Sequence, residues 1–143
     1  DKDITSLLRS ETTAKIASEL SALPKTREDL LTIQRDFYNQ DGLVADGRDM
    51  GTVVFPKAAL KIFLTASPEV RAKRRHLELQ KRGQEVNMLD LIADIELRDM
   101  KDRTRTLSPL IPAEDSVVID SSNMSIDEVL SFTKKLTKKE FNK

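Results

Sequence analysis

The chain has 143 residues, 34% of them charged and 38% hydrophobic, with 24 basic against 24 acidic side chains and a formal net charge of zero. That length suits one domain, residues 1–143, with its own core. A zero net charge gives no general attraction to nucleic acid or to an anionic membrane, so any basic patch must be local.

With no cysteine and one histidine, disulfides, thiolate metal sites and multi-histidine metal sites are excluded. No apolar run approaches the roughly 18 residues that span a bilayer. No signal-peptide pattern is present, and the expected location is the cytoplasm. The chain starts at Asp1 without a methionine, which reads as a cut.

Ile4, Leu7 and Leu8 give the first residues an apolar content. Ser10 is expected to cap a helix from Glu11 to about Ala22, with Ile16, Ala17, Leu20 and Leu23 at helical spacing and Pro24 ending it. Thr26 is expected to cap a second helix over about 27–38, with Asp29 as its box-like partner. Asp41-Gly42 reads as a turn. Leu43 to Ala45 then read as a short buried strand, followed by a loop carrying Asp46, Gly47, Arg48 and Asp49 and closed by Phe55-Pro56. Leu60 to Thr65 read as a second buried strand.

Ser67-Pro68-Glu69 is a strong helix start, with a cap, a proline in the first turn and an acid at the positive end of the dipole. That helix runs to about Arg82, where Gly83 stops it. Another is expected from about Met88 to Arg103. Val117 to Ile119 read as a third buried strand ending in Asp120. Ser125-Ile126-Asp127-Glu128 is a capping box opening a last helix to about Lys138. Short all-apolar strands alternating with helices predict an α/β fold, a parallel sheet flanked by helices on both faces. The highly charged pair 68–103 reads as an appendage over that sheet.

Three charged groups could carry chemistry. Asp46, Arg48 and Asp49 sit just past a strand, where open α/β sheets bind ligands. An acid there can hold Mg²⁺ in phosphoryl transfer, and Arg48 offers a fork matched to phosphate; a plain loop salt bridge is the alternative. Met88, Leu91, Ile92 and Ile95 form an inward stripe that Arg98 and Asp102 continue, with Arg105 beyond if the helix reaches it. This is either two arginines aimed at a phosphate with an acid between them, or an ordinary i,i+4 pair where the helix meets solvent. Six basic residues against Glu78 over 71–82 give a local charge of about +5. Such a run is usually a solvated face, but Arg74, between Val70 and Leu77 on a weak apolar stripe, is expected to point inwards. His76 is expected to be solvated, without a role. Nothing in composition marks out Ser18 or Arg27.

The string Asp46-Gly47-Arg48-Asp49-Met50-Gly51-Thr52-Val53-Val54-Phe55-Pro56, with Lys61-Ile62-Phe63-Leu64 and Glu96 through Arg105, resembles the bacterial cytidylate kinase family. The resemblance extends from the Ser18–Arg27 region to the helix at Ser125. It implies a nucleoside monophosphate kinase of the P-loop fold, moving the γ-phosphoryl of ATP to CMP or dCMP with Mg²⁺, and having a mobile helical lid over approximately 71–105. By position, Asp46 resembles the acid near the Mg²⁺–phosphate site, contacting the metal through water. Arg48 resembles the arginine that holds the CMP phosphate. Ser18, Arg27 and Asp49 resemble the cytosine-recognising group, and Arg98 and Asp102 the sugar-side contacts. Arg105 belongs to the same site. Arg74 resembles a lid arginine that closes on ATP.

One departure stands out. The four glycines, at 42, 47, 51 and 83, make no G-x-x-x-x-G-K-[ST] phosphate loop. The chain reads as the C-terminal two-thirds of such an enzyme, without the first, central strand of its sheet. Removing that strand would expose two edges and an apolar face. The chain alone is therefore expected not to transfer phosphate, and to need its missing segment or a swapped partner chain to fold completely. The alternatives are a kinase for UMP or AMP, or a non-catalytic module binding a polyanion through the basic helix. Balanced charge and six aromatic residues argue against nucleic acid as that partner, and no membrane partner is expected.

Overall fold

The structure, a computed structural model, describes residues 3–8 and 11–142. Three helices come first: α1 (Thr5–Leu8), α2 (Glu11–Leu20) and α3 (Pro24–Asp36). The expected cap at Ser10 lies outside the described residues. Pro24 starts α3 instead of ending α2, and Thr26 lies inside the helix. The N-cap is Leu23, without a side-chain hydrogen bond. The physical reason is that proline at the first helical position has its φ preset and lacks only an N–H that would go unused there. Asp29 pairs with Lys25 at 2.6 Å and caps nothing.

Leu43–Ala45 is not a strand, and Val44 is 99% exposed. A strand needs a neighbour for its N–H and C=O groups, and among the described residues the one sheet holds only β1 (Ile62–Thr65) and β2 (Val117–Asp120). These pair in parallel from Ile62 with Val117 to Thr65 with Asp120. Neither face of the sheet is fully covered: Ile119 is 4% exposed, but its registered neighbour Leu64 on the same face and Val118 on the opposite face are each 56% exposed. The fold is thus α/β with a small parallel sheet. Its buried apolar residues among those described are Val54, Ala66, Ala72, Leu79 and Ile119.

Between the strands run α4 (Pro68–Lys81) and α5 (Met88–Thr104), which pack closely on each other. Ser67 caps α4 by accepting from the Val70 N–H. Gly83, at φ +71, ends it: the Gln84 N–H bonds the Leu79 carbonyl and the Gly83 N–H bonds the Gln80 carbonyl, a Schellman closure that needs a left-handed residue. Asn87 caps α5. Its stripe of Met88, Leu91, Ile92, Ile95, Arg98 and Asp102 is shielded as the periodicity expects. The helix α6 (Ile126–Phe141) opens with the full Ser125–Glu128 capping box.

Polar contacts fasten the pieces where the apolar core is thin. Arg71 forms a two-pronged ion pair with Asp99 (Nη1 to Oδ1, 3.0 Å), joining α4 to α5. Arg74 is exposed as a whole residue, but its guanidinium turns to the end of β2, donating to the Ser121 carbonyl at 2.7 Å and to Ser121 Oγ at 3.1 Å, so α4 is tied there. His76 is half-buried, with Nδ1 shielded and without a hydrogen-bond partner among the described residues, which corrects the solvated reading.

The Arg71 guanidinium holds the Asp99 carboxyl below its ordinary range. A depressed carboxyl stabilises the fold above its unfolded pKa, near 4, and that stability is lost as pH falls through the folded value. Both partners are partly exposed, so the pair is worth about 1 kcal/mol. Asp99→Asn should therefore melt a few degrees below the wild type at pH 7, at roughly 2–4 °C per kcal/mol, and the gap should narrow progressively as pH falls below the ordinary carboxylate range. A gap that stays constant as pH is lowered from 7 through the carboxylate range would contradict this assignment.

Candidate functional site

Two cavities adjoin the helices. The smaller, about 190 Å³, is lined by Ala17 and Ser18 of α2 and Ser21 just past its end, Arg27 from α3, Arg48 and Asp49 from the loop, and Arg98, Asp102 and Arg105 at the end of α5. Segments more than 80 positions apart meet there, as in the contact of Arg105 Nη1 with Ser21 Oγ at 3.4 Å.

Asp102 is the hub. It is 3% exposed and accepts from Arg48 Nε and from Arg105 Nη1 at 3.4 Å, while Arg98 Nε lies 4.0 Å away. Arg98 and Asp102 meet by i,i+4 spacing. Arg105 arrives differently. The helix ends at Thr104, and Arg105 is extended at the C-cap, so the chain turns and its Nε bonds the Ser108 carbonyl at 2.7 Å. Ser108 itself has φ +49.

Across the cavity Asp49, 8% exposed, accepts from Arg27 Nη1 at 2.6 Å. Its backbone carbonyl anchors a single π-helical turn over Met50–Val54, accepting from the N–H groups of Thr52, Val53 and Val54 at 3.3, 2.9 and 3.2 Å.

Four guanidiniums face two carboxylates here, leaving two uncompensated positive charges. Burial first, and then the nearby Arg27, lower the pKa of Arg105. Arg27 Nε is buried without a hydrogen-bond acceptor among the described residues. A buried donor with no acceptor, inside a cluster of excess positive charge, suits an anion with several oxygens.

Seven of the nine residues singled out from sequence therefore line one cavity: Ser18, Arg27, Arg48, Asp49, Arg98, Asp102 and Arg105. Asp46 is exposed and lines neither cavity described here, and Arg74 is engaged with Ser121. Sequence reasoning missed Ser21, although its i,i+3 spacing from Ser18 on one helix face could have pointed to it. No group of three or more His, Asp or Glu side chains that could hold a metal occurs among the described residues. A lone carboxylate such as Asp46 does not make a protein cage. It fits a magnesium ion held chiefly by nucleotide phosphates and water.

The larger cavity, about 710 Å³, opens at the carboxyl ends of both strands. It runs from Thr65 and Asp120 past Ser67 and Pro68 to Arg71, Asp99 and Arg103. The Ser122 hydroxyl bonds Asp120 at 2.6 Å and accepts from the Ser67 N–H at 2.9 Å, fixing that rim.

The family model for cytidylate kinase matches residues 1–139. Curated proteins named cytidylate kinase are similar to this chain. That of Photobacterium profundum is 55% identical over 128 residues, and those of Serratia proteamaculans and Stutzerimonas stutzeri are 54% identical over 129. In each case the match covers 90% of this chain and 56% of the relative. The chain thus spans about half the length of the curated relatives it matches.

Asp102→Ala should leave Arg48, Arg98 and Arg105 facing one another and cost about 1–3 kcal/mol at low ionic strength, towards the lower end because Arg48 and Arg98 are partly exposed. Inorganic phosphate should restore part of the lost melting temperature, and should do so more than chloride at equal ionic strength. Identical melting of variant and wild type would contradict the hub role.

Proposed function

We propose, from the premise that this chain belongs to the cytidylate kinase family, that the whole protein uses ATP to phosphorylate CMP and dCMP, and that the arginine-lined cavity is its acceptor site. The observation that carries the reading is the convergence of Arg27, Arg48, Arg98 and Arg105 on one cavity with only Asp49 and Asp102 to balance them. Two excess positive charges suit a phosphate monoester carrying about −1.5 to −2 near neutral pH.

In this reading Arg48, with Arg105 beside it, holds the acceptor phosphate. Arg98 and Asp102 flank the sugar. Ser18, Arg27 and Asp49 face the base, with Arg27 fixing the Asp49 carboxylate as an acceptor for the exocyclic amine of cytosine. The larger cavity, at the strand ends, is the place for the donor nucleotide, the usual position for ligands of open α/β sheets.

An oxygen of the acceptor phosphate bonds the γ-phosphorus of ATP as the bond from that phosphorus to the β-phosphate oxygen breaks, and ADP leaves with the electron pair. The protein supplies positioning and positive charge for the equatorial oxygens. Bound Mg²⁺ would offset further phosphate charge, with Asp46 touching it through water. Residues 71–105 act as the lid, and Arg74 reaches ATP only by exchanging Ser121 for a phosphate. The phosphate-cradling glycine loop that these 143 residues do not contain, and the strand that would cover Val44 and pair beside β1, come from a further segment of the protein, in the same chain or swapped in from a partner chain. The open faces of Leu64 and Val118 support that reading.

Transfer from ATP to CMP, UMP and AMP by the whole protein tests the function. CMP should be the preferred acceptor, and equal or greater turnover with UMP or AMP would move the protein to a sister specificity. Arg48→Ala should lower kcat/KM for CMP by about 10²–10³-fold, and an unchanged value would remove the phosphate role. Asp49→Ala should narrow the CMP-over-UMP preference, measured as the ratio of kcat/KM values. The 143-residue chain alone should not turn over, and clear activity would overturn the need for a further segment.

A further inference from the structure

Arg35 touches neither cavity, yet it grips the segment that carries two of the site's residues. It lies on α3, eight positions after Arg27, about 12 Å further along the axis. Its Nε donates to the Val54 carbonyl at 2.9 Å and its Nη2 to the Val53 carbonyl at 3.1 Å. These carbonyls end the π-helical turn Met50–Val54. The last carbonyls of any helical turn have no partner within it, and a cation there also meets the negative end of the turn's dipole. The turn's N–H groups converge instead on the Asp49 carbonyl, and the Phe55 N–H on that of Met50 at 2.7 Å.

One helix therefore holds this segment at both ends: Arg27 takes the Asp49 side chain and Arg35 the carbonyls of Val53 and Val54. Single π-turns are uncommon and concentrate at functional sites. This one has few bonds of its own to keep it, and Val54, 2% exposed, gives it one buried apolar anchor.

We propose that Arg35 is a positioning residue for the acceptor site, capping the π-turn from α3 so that Asp49 and the adjacent Arg48 face the cavity. The proposal rests on the acceptor-site reading above. A planar fork that spans two successive carbonyls suits arginine, and lysine can satisfy only one point of it.

The test compares Arg35→Met and Arg35→Lys with the wild type in the full-length protein. Amide hydrogen exchange without nucleotide should show faster exchange at Val53, Val54 and Phe55 in Arg35→Met, with α5 and β2 unchanged. In the transfer assay the same variant should raise the CMP KM by about 10-fold to 100-fold while the ATP KM stays put, and Arg35→Lys should fall between. Exchange unchanged at those amides overturns the proposal. So does faster exchange with an unchanged CMP KM, or a parallel loss across α5 and β2, which would mark Arg35 as a general structural contact. A wild type that transfers nothing to CMP overturns the acceptor reading, while the exchange result still decides for or against the cap.

Discussion

A single carboxylate in a nearly dry position organises the site. Asp102 joins the end of α5 to the loop 46–55, which is 54 positions away in sequence, and holds Arg48 and Arg105 together with Arg98 nearby. Like charges at this spacing repel strongly once water is excluded. The cluster exists because one acid sits among the three bases, and Asp49 does the same for Arg27 on the other wall. The compensation is incomplete, and what is left over suits a small, multiply charged anion with oxygen acceptors. A carboxylate that both gathers the cations and leaves them short of negative charge keeps the site assembled before the ligand arrives.

Polar ties do much of the assembling because the apolar core is thin. Arg71 with Asp99, Arg74 with Ser121, and Lys61 with Asp115 each connect elements distant in sequence, and Lys61 also donates to the nearby Pro56 carbonyl. Lys61 closes the loop that Phe55-Pro56 ends, and its stem lies 3.4 Å from the place a side chain would occupy at Gly51. The exposed faces of Leu64 and Val118, and the wholly exposed Val44, show how little of the sheet's apolar surface these 143 residues cover by themselves.

Much of this was legible in the residues. Capping chemistry located α4 and α6, because Ser67-Pro68 and the Ser125–Glu128 box act within one turn. Gly83 marked the end of α4 for the same local reason. The 3.6-residue stripe carried Arg98 and Asp102 to the inward face. Elements that depend on distant partners were less legible. Leu43–Ala45 has the composition of a buried strand but no neighbour to pair with among the described residues, and Pro24 had to be read as either a stop or a start without knowing the next segment's direction. Among the site residues, Ser18 and Arg27 were found by resemblance to a family and not by pattern. Ser21 is marked in sequence only by its i,i+3 spacing from Ser18, and the fold then brings it against Arg105. The Arg35 cap is invisible in sequence, since its acceptors are backbone carbonyls that every residue carries.

The central claim is that the arginine-lined cavity recognises a nucleoside monophosphate chiefly through its phosphate. Calorimetric titration of the full-length protein with CMP and with cytidine, at low and at physiological salt, tests this most directly. The account predicts measurable CMP binding that weakens as salt rises and is at least about tenfold tighter than cytidine binding. Equal affinity for the two, or CMP binding indifferent to salt and to the loss of Arg48, would contradict it.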